Sequence, residues 1–568
     1  MKFLSTAAIC AVLVLAGCGD SDTDARDGGE KGPGARSETG ANRFLNHIDA
    51  DSAYAYANLE RLPEEVVDTV WAINDASAQG NEAMFDALAE DEDVPDQIRV
   101  LIEEVKMLST RAGWEAAGLH SNPYYAFYGV DLLPFAQIEL ADGDAFAELL
   151  ARVEAAIEQP LERRDIEGVE VLWFTLAEGF GIALRHDQDS MTAALIPDDA
   201  ALLTRVAGQF EPADAMGDDA LEAFNREIGL THYGSGFVDW RRVINTVLTD
   251  ENRLGRLLHD DEAFSAIAGN PACVAEYQAV TDALPRLVFG YTRLTDDKFD
   301  FLVRQETSAE LAAGLAPIAK APVSIDRELS GLFNFGLAFD LVAGREFARS
   351  LVDGWVENPP ECPSFSTIAA QAPQLQEYLV RPIPPVVTNL NGLFLEAESL
   401  ELADNGMPTG GGTLSFFMRN PQLLVGMAQM FSPAVAELEL EPGGEPQPVP
   451  EGAIPQLQAA NLKAWLAMGE NAIGIAVGEE NVDALTRAIE KTSADDLLMA
   501  GRLDFQTLTV LVDMAESALG DLENEEAAMG LAAQRQQYEA FAEIYDQASF
   551  KLRLGEKGID FVGETTLK

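Results

Sequence analysis

The chain has 568 residues, 47% of them hydrophobic, and a formal net charge of −57 from 38 basic and 95 acidic side chains. So much apolar material excludes an acidic chain that stays unfolded, and at ~100–200 residues per domain the length predicts a multi-domain globular protein. Lys and Arg supply most non-specific affinity for phosphates, so neither a nucleic acid nor an anionic membrane surface is an expected partner.

In chain order, residues 1–17 come first. Lys2 precedes an apolar stretch from Phe3 to about Leu15, followed by small residues. This is the layout of a secretory signal peptide, short of the ~20 apolar residues that span a bilayer. Leu15-Ala16-Gly17-Cys18 resembles the lipobox of bacterial lipoprotein precursors. The resemblance implies a diacylglyceryl group on the Cys18 thiol, cleavage before that residue and acylation of the new amino group. Several acyl chains at ~0.8 kcal/mol per CH₂ give stable anchoring where one is marginal. The same resemblance implies a bacterial envelope location. Gly19 stands where aspartate would retain such a protein at the inner membrane, which points to the outer membrane, facing the periplasm. Residues 18–42 carry no large apolar side chain after the cysteine and predict a flexible tether.

The remainder reads as one unit written twice. Residues 193–208 match 474–490, with Thr204 and Thr486 282 positions apart; 236–248 match 501–514, with Asp239 and Asp504 265 apart. Residues 292–307 match 552–565, with Arg293 and Arg553 260 apart, and a weaker match joins 54–71 to 336–355 with an offset of 282 at Asn58 and Asp340. Blocks in one order predict a tandem duplication, 43–307 and 325–568, each copy large enough for its own core. Period-2 segments such as Phe299–Phe301 and Ile559–Phe561 alternate with helical stretches at 144–159 and 481–491. Turn signals at Asp296-Asp297-Lys298, Asp404-Asn405-Gly406 and Gly555–Gly558 predict hairpins, hence antiparallel pairing. The predicted class is α+β: two homologous tandem halves, each a mostly antiparallel sheet with helices packed on one face. Proline-rich 381–387 and 441–455 predict loops or sheet edges.

With Cys10 lost alongside the signal, Cys273 and Cys362 are the only candidates for a disulfide. Their places late in copy one and early in copy two predict a bond that clamps the halves. The chain has no Gly-x-Ser-x-Gly, His-Glu-x-x-His, Walker or Gly-x-Gly-x-x-Gly motif, and Gly410-Gly411-Gly412-Thr413 lacks the lysine of a phosphate loop. His232, Ser235 and Asp239 suggest a triad on paper. Yet Asp239 recurs as Asp504 while the other two align with Leu497 and Ala500, which favours a helix N-cap. His47, His120, His186, His232 and His259 are scattered, and neither Asp187-Gln188-Asp189 nor the run from Glu90 to Asp93 has the glycine and terminal glutamate of a calcium loop. No metal or cofactor is expected. Tyr124, Tyr125, Phe127 and Tyr128 could form a stacking platform for a sugar or an amphiphile, but such a run more often packs a strand against helices.

Lipobox, tether and repeat together resemble the large tandemly duplicated periplasmic lipoproteins of proteobacteria. The function this implies is a lipid-anchored periplasmic protein without catalysis, with a binding or envelope-assembly role and a protein or amphiphile as partner. Two alternatives stand beside it. One is a carrier of amphiphilic ligands that uses the apolar face of its sheets and encloses an apolar cavity. The other is a hydrolase of unfamiliar class with acidic residues in a cleft between the halves.

Overall fold

The computed structural model describes residues 40–568 except 91–95, 157–160, 251, 320–330, 403–407, 432–437, 451–452, 455–456, 458–461, 491–495 and 520–524. Residues 1–39, which hold Cys18, the expected signal and most of the expected tether, lie outside the described residues. The chain divides into two compact units, one made of the chain to Ser265 with Arg286–Phe301, the other of Ala266–Pro285 with Leu302–Lys568. The boundary therefore differs from the predicted cut near 307–325, because the segment Ala266–Pro285 joins the second unit ahead of two strands that follow it in sequence.

The first unit runs α1 (Asn42–Leu45), β1 (Tyr54–Ala57), α2 (Glu64–Glu90), α3 (Asp96–Leu108), α4 (Arg111–Ala116), β2 (Tyr125–Val130), β3 (Leu133–Glu139) and α5 (Gly143–Ala156). It continues through β4 (Glu162–Ile166), β5 (Val169–Ala177), β6 (Phe180–His186), β7 (Ser190–Pro197), α6 (Ala200–Val206), α7 (Gly217–Ile228), β8 (Ser235–Asp239), α8 (Trp240–Leu248), α9 (Arg253–His259) and β9 (Arg286–Leu294), with β10 (Lys298–Glu306) beginning in this unit. All pairings are antiparallel, in the order β4-β5-β6-β7-β3-β2-β1-β8-β9. The β2–β3 connection has only two residues, and Asp131 and Leu132 both take positive φ, 50° and 66°, the geometry whose twist suits a two-residue hairpin.

The second unit contains α10 (Pro271–Ala283), α11 (Ala309–Ala319), β11 (Phe333–Ala338), α12 (Leu341–Glu357), α13 (Ser366–Val380), β12 (Leu390–Leu402), β13 (Pro408–Met418) and α14 (Pro421–Phe431). Then follow β14 (Gln447–Pro448), β15 (Ala464–Met468), β16 (Ala472–Val477), α15 (Val482–Glu490), β17 (Leu497–Asp504), α16 (Gln506–Leu519), α17 (Glu525–Ile544), β18 (Tyr545–Leu554) and β19 (Gly558–Leu567). Its antiparallel order is β14-β15-β16-β13-β12-β11-β17-β18-β19. Read from β1 and from β11, the two sheets have the same connections: a first strand held between a hairpin strand and the strand that returns after a helix. The proline-rich stretches behave as their chemistry requires. Among its described residues the 441–455 region contributes only the two-residue edge strand β14, and 381–387 leads into a short helix that starts at Pro385.

Helices cover both faces of the first sheet, contrary to the one-sided packing expected. The reason lies in β2, whose residues are apolar at every position, so that each face needs cover. On one face Tyr128, Phe135 and Ile196 pack with Phe44 and Leu45 of α1, Leu202 of α6 and Leu221 of α7. On the other, Tyr125, Ile138 and Met191 pack with Val66, Val67 and Trp71 of α2, Trp114 of α4 and Phe146 of α5. In the second unit Leu485 and Ile489 of α15 pack on Phe417 and Ala476, while Val425 of α14 packs beside Met418 and Met468. Phe417 and Met418 are neighbours on one strand and point to opposite faces, so both sides are again engaged.

Candidate functional site

The residues singled out by sequence fall mostly into structural roles. His232 faces Glu60 (Nδ1 to Oε1, 3.1 Å), Ser235 is buried in β8, and the Asp239 carboxylate accepts a hydrogen bond from the Arg242 backbone N–H at 3.0 Å as the cap of α8. Asp504 does the same for α16, accepting from Gln506 N at 2.9 Å. The recurring aspartate is thus a cap, and each member of the paper triad has its own environment. Asp187 folds back on its own turn, where its carboxylate accepts from the backbone N–H groups of Asp189 and Ser190. Burial pushes this carboxyl up, but those bonds and the Arg185 charge outweigh it and hold the group below the ordinary aspartate range. The run from Glu90 to Asp93 lies outside the residues whose side chains are described. Among the described residues no group of three or more His, Cys, Asp or Glu is placed to hold a metal ion, and no helix is long and apolar enough to cross a membrane. Tyr125 and Tyr128 are buried on opposite faces of β2, and burial raises the Tyr128 phenol well above its usual value.

Cys273 and Cys362 are joined as a disulfide, with Cα atoms 4.5 Å apart. Asn270 caps α10 by accepting from Ala272 N, and Pro271 stands in its first turn, which sets Cys273 at a defined place on the helix. The backbone N–H groups of Glu361 and Cys362 donate to Glu276 on the same helix, at 2.6 and 3.2 Å. Both cysteines belong to the second compact unit, so the bond staples α10 to the start of the α13 region inside that unit.

The first unit has two adjoining open depressions along α9, of about 710 and 490 Å³, which share Arg253 and Arg256. Asn252 caps α9 and donates to the Thr246 carbonyl at 2.6 Å. Arg253 Nε lies 2.9 Å from Asp199, the cap of α6, and its Nη1 lies 3.7 Å from Asp131 at the β2–β3 turn. Desolvation pushes Asp199 up, yet the Arg253 contact and the backbone N–H of Leu202 hold it below the ordinary range. Sequence reasoning passed over this cluster. The only local signal is an asparagine before Arg253, which announces a cap and nothing more.

A second candidate lies on β11, β12 and β13. Asn334 pairs with Glu396, Glu396 with Thr413, and Asn334 on its other side with Arg502. Glu396 is only 5% exposed, and the buried hydroxyls of Thr413 and Ser415 have no hydrogen-bond partner. The corresponding row in the first unit is Phe237, Ala55, Tyr128 and Phe135. Where one sheet buries apolar groups the other buries polar ones, at a cost that ordinary packing does not require. Single-sequence reading has no signal for this row, because the residues come from four separate strands. Comparison of the chain with family models, with curated proteins and with solved structures finds no match in any of the three.

Proposed function

We propose that the chain is a lipid-anchored protein of the bacterial envelope. It is held through Cys18 at the outer membrane facing the periplasm, and its two homologous tandem halves serve a binding or assembly role without catalysis. The observation that carries the location is the Cys273–Cys362 disulfide, a bond that forms and persists in oxidising compartments. It agrees with export by the predicted signal. The common strand order supports duplication, as does a shared detail of packing. Gly236 sits between Phe289 and Tyr56, and Gly501 between Phe550 and Phe335. A Cβ at either glycine would lie within 3.0 Å of a neighbouring ring. The binding role is favoured over hydrolysis because the carboxylates of Asp199, Asp239, Asp340 and Asp504 are committed to helix caps.

Metabolic labelling with an alkyne-bearing palmitate analogue tests the anchor. The expected result is label in the wild-type chain and none in Cys18→Ser; an unlabelled wild-type chain would sink the reading.

A further inference from the structure

Helices α12 and α13 show water two surfaces of different character. On α12 the exposed positions are Glu346, Arg349, Ser350, Leu351, Gly354 and Glu357, mostly charged or small. On α13 the packed positions Ala369, Ala372, Gln376 and Leu379 recur at i, i+3, i+7 and i+10, and Ala372 alone is buried. Beside them runs a stripe of Ile368, Leu375 and Tyr378, which are 37%, 40% and 53% exposed, with the uncharged Gln371 and Gln374 between them. Val380 at the helix end and Val387 beyond it are exposed as well. Charge is scarce over the same stretch. In a chain with 95 acids among 568 residues, residues 363–389 hold one acid, Glu377, and one base, Arg381, and the two pair with each other at 2.7 Å. The Arg381 guanidinium also lies 4.4 Å from the centre of the Tyr378 ring. A tyrosine and a long-stemmed cation beside an apolar stripe suit the head-group level of a bilayer, where each keeps its polar end wet.

We propose that the outer stripe of α13 lies on a zwitterionic lipid surface, as a second membrane contact beside the anchor at Cys18. The proposal deepens the anchored reading given above and rests on it. Length, area and local charge select the occupant. A helix of 15 residues is about 22 Å long, short of the ~30 Å hydrocarbon core, so α13 can lie along a bilayer but not cross it. Ile368, Leu375, Tyr378 and Val380 together expose roughly 350 Å² at ~200 Å² per large side chain, less than half of the ~800 Å² per partner that a stable protein interface buries. A contact too small for a dimer suffices for a surface that is already tethered. With Cys18 in the bilayer, residues 19–42 taken as a random coil reach ~27 Å, which presents the lipid at high effective concentration. The single base of the stretch is committed to Glu377, so an anionic surface finds no spare charge there to pair with.

Photolabelling of the full chain in phosphatidylcholine vesicles that contain a diazirine-bearing phosphatidylcholine, read by peptide mass spectrometry, tests the contact. The expected result is label in peptides from Ser366–Val380 and none in α12 or at Leu257, an exposed leucine of α9. A double variant, Ile368→Gln with Leu375→Gln, should lower the α13 label about tenfold. Both positions are part-exposed, so this variant should melt within a few degrees of wild type. If it melts lower, Tyr378→Gln takes its place, and Leu375→Met should hold the label within about twofold. An unlabelled α13 overturns the proposal, as does label that ignores the substitutions or spreads evenly over the exposed leucines of both units. Label that rises when phosphatidylglycerol replaces a third of the lipid overturns the choice of a zwitterionic surface. A concentration-dependent dimer in sedimentation that the glutamine variant abolishes overturns the proposal in favour of contact between copies. Palmitate labelling separates the two readings. A palmitate-labelled chain without photolabel on α13 refutes this inference alone, and a photolabelled α13 in a chain without palmitate refutes the anchor alone.

Discussion

The two units share a strand order and differ in what they do with it. In the first, the sheet face bearing Tyr56, Tyr125 and Phe127 is sealed by Trp71, Trp114 and Phe146. In the second, the face bearing Phe335, Leu393 and Leu395 is covered by Val425 of α14 where it reaches Phe416, Ile473 and Met468, and the opposite face carries Asn334 and Glu396 where the first has Ala55 and Tyr128. One backbone plan therefore supports an apolar row in one unit and, at the same place in the other, a buried polar one. Strand connections set the fold; the side chains laid across them decide whether a face is core or site.

The largest effect should come from the staple, which only the second unit has. Replacing Cys273 and Cys362 with serine opens a link across a sequence separation of 89, worth ~4–5 kcal/mol on the chain-entropy model. Hydrogen exchange read by peptide should show lost protection in α10 and α13 and unchanged protection in β2 and β3. Equal loss in both places would break the assignment of the bond to one unit. Next, Trp71→Ala in the sealed face should cost ~3–5 kcal/mol in urea unfolding, whereas Leu395→Ala, at a side chain 37% exposed, should cost roughly 1 kcal/mol or less. Similar costs would mean that Leu395 is packed as tightly as Trp71.

The paired glycines sharpen the comparison further. A Cβ at Gly236 would meet the Ala55 carbonyl oxygen at 2.5 Å, while one at Gly501 would meet the Phe550 ring at 2.6 Å. Backbone cannot swing aside as a ring can. Gly236→Ala should therefore cost ~2–3 kcal/mol and Gly501→Ala ~1 kcal/mol, an order that thermal melts of the two variants can reverse or uphold. Smaller again are the caps. Asp239→Ala and Asp504→Ala should each cost ~1 kcal/mol, with little difference between units.

How far the sequence carried this picture depends on the range of each signal. Caps are local, so Asp239 and Asp504 were legible from an aspartate ahead of a periodic run. The α+β class and antiparallel pairing followed from alternation and turn residues. The disulfide followed from a count of two remaining cysteines. Its place within one unit did not, because α10 precedes β9 in the chain yet belongs with the later unit. Helices on both faces were foreshadowed by the unbroken apolar run of β2, though a short run of that kind reads equally well as a one-sided strand. The Asn334–Glu396–Thr413 row is a product of register, and register joins residues too distant in sequence for any single-chain pattern to reveal.

The smallest predicted effect also separates the units. Asp199 caps α6 and meets Arg253, and its carboxyl is held below the ordinary aspartate value. A group whose folded pKa is depressed contributes stability that is fully present above its unfolded pKa, ~3.9, and is lost as pH falls through the folded value. Asn at this position keeps the cap and removes the charge. Asp199→Asn should therefore melt slightly below wild type near neutral pH, by less than a lost cap would produce, and the difference should close as pH falls below the ordinary aspartate range and shrink in ~1 M salt. The matching helix start in the second unit, at Asn481, presents an amide whose Nδ2–H donates to the Val477 carbonyl and has nothing to titrate. Asn481→Asp should accordingly introduce an acid-side dependence that this helix start lacks in the wild type. A difference between wild type and Asp199→Asn that stays constant from pH 7 to pH 3 would show that the Arg253 contact contributes shape and not charge.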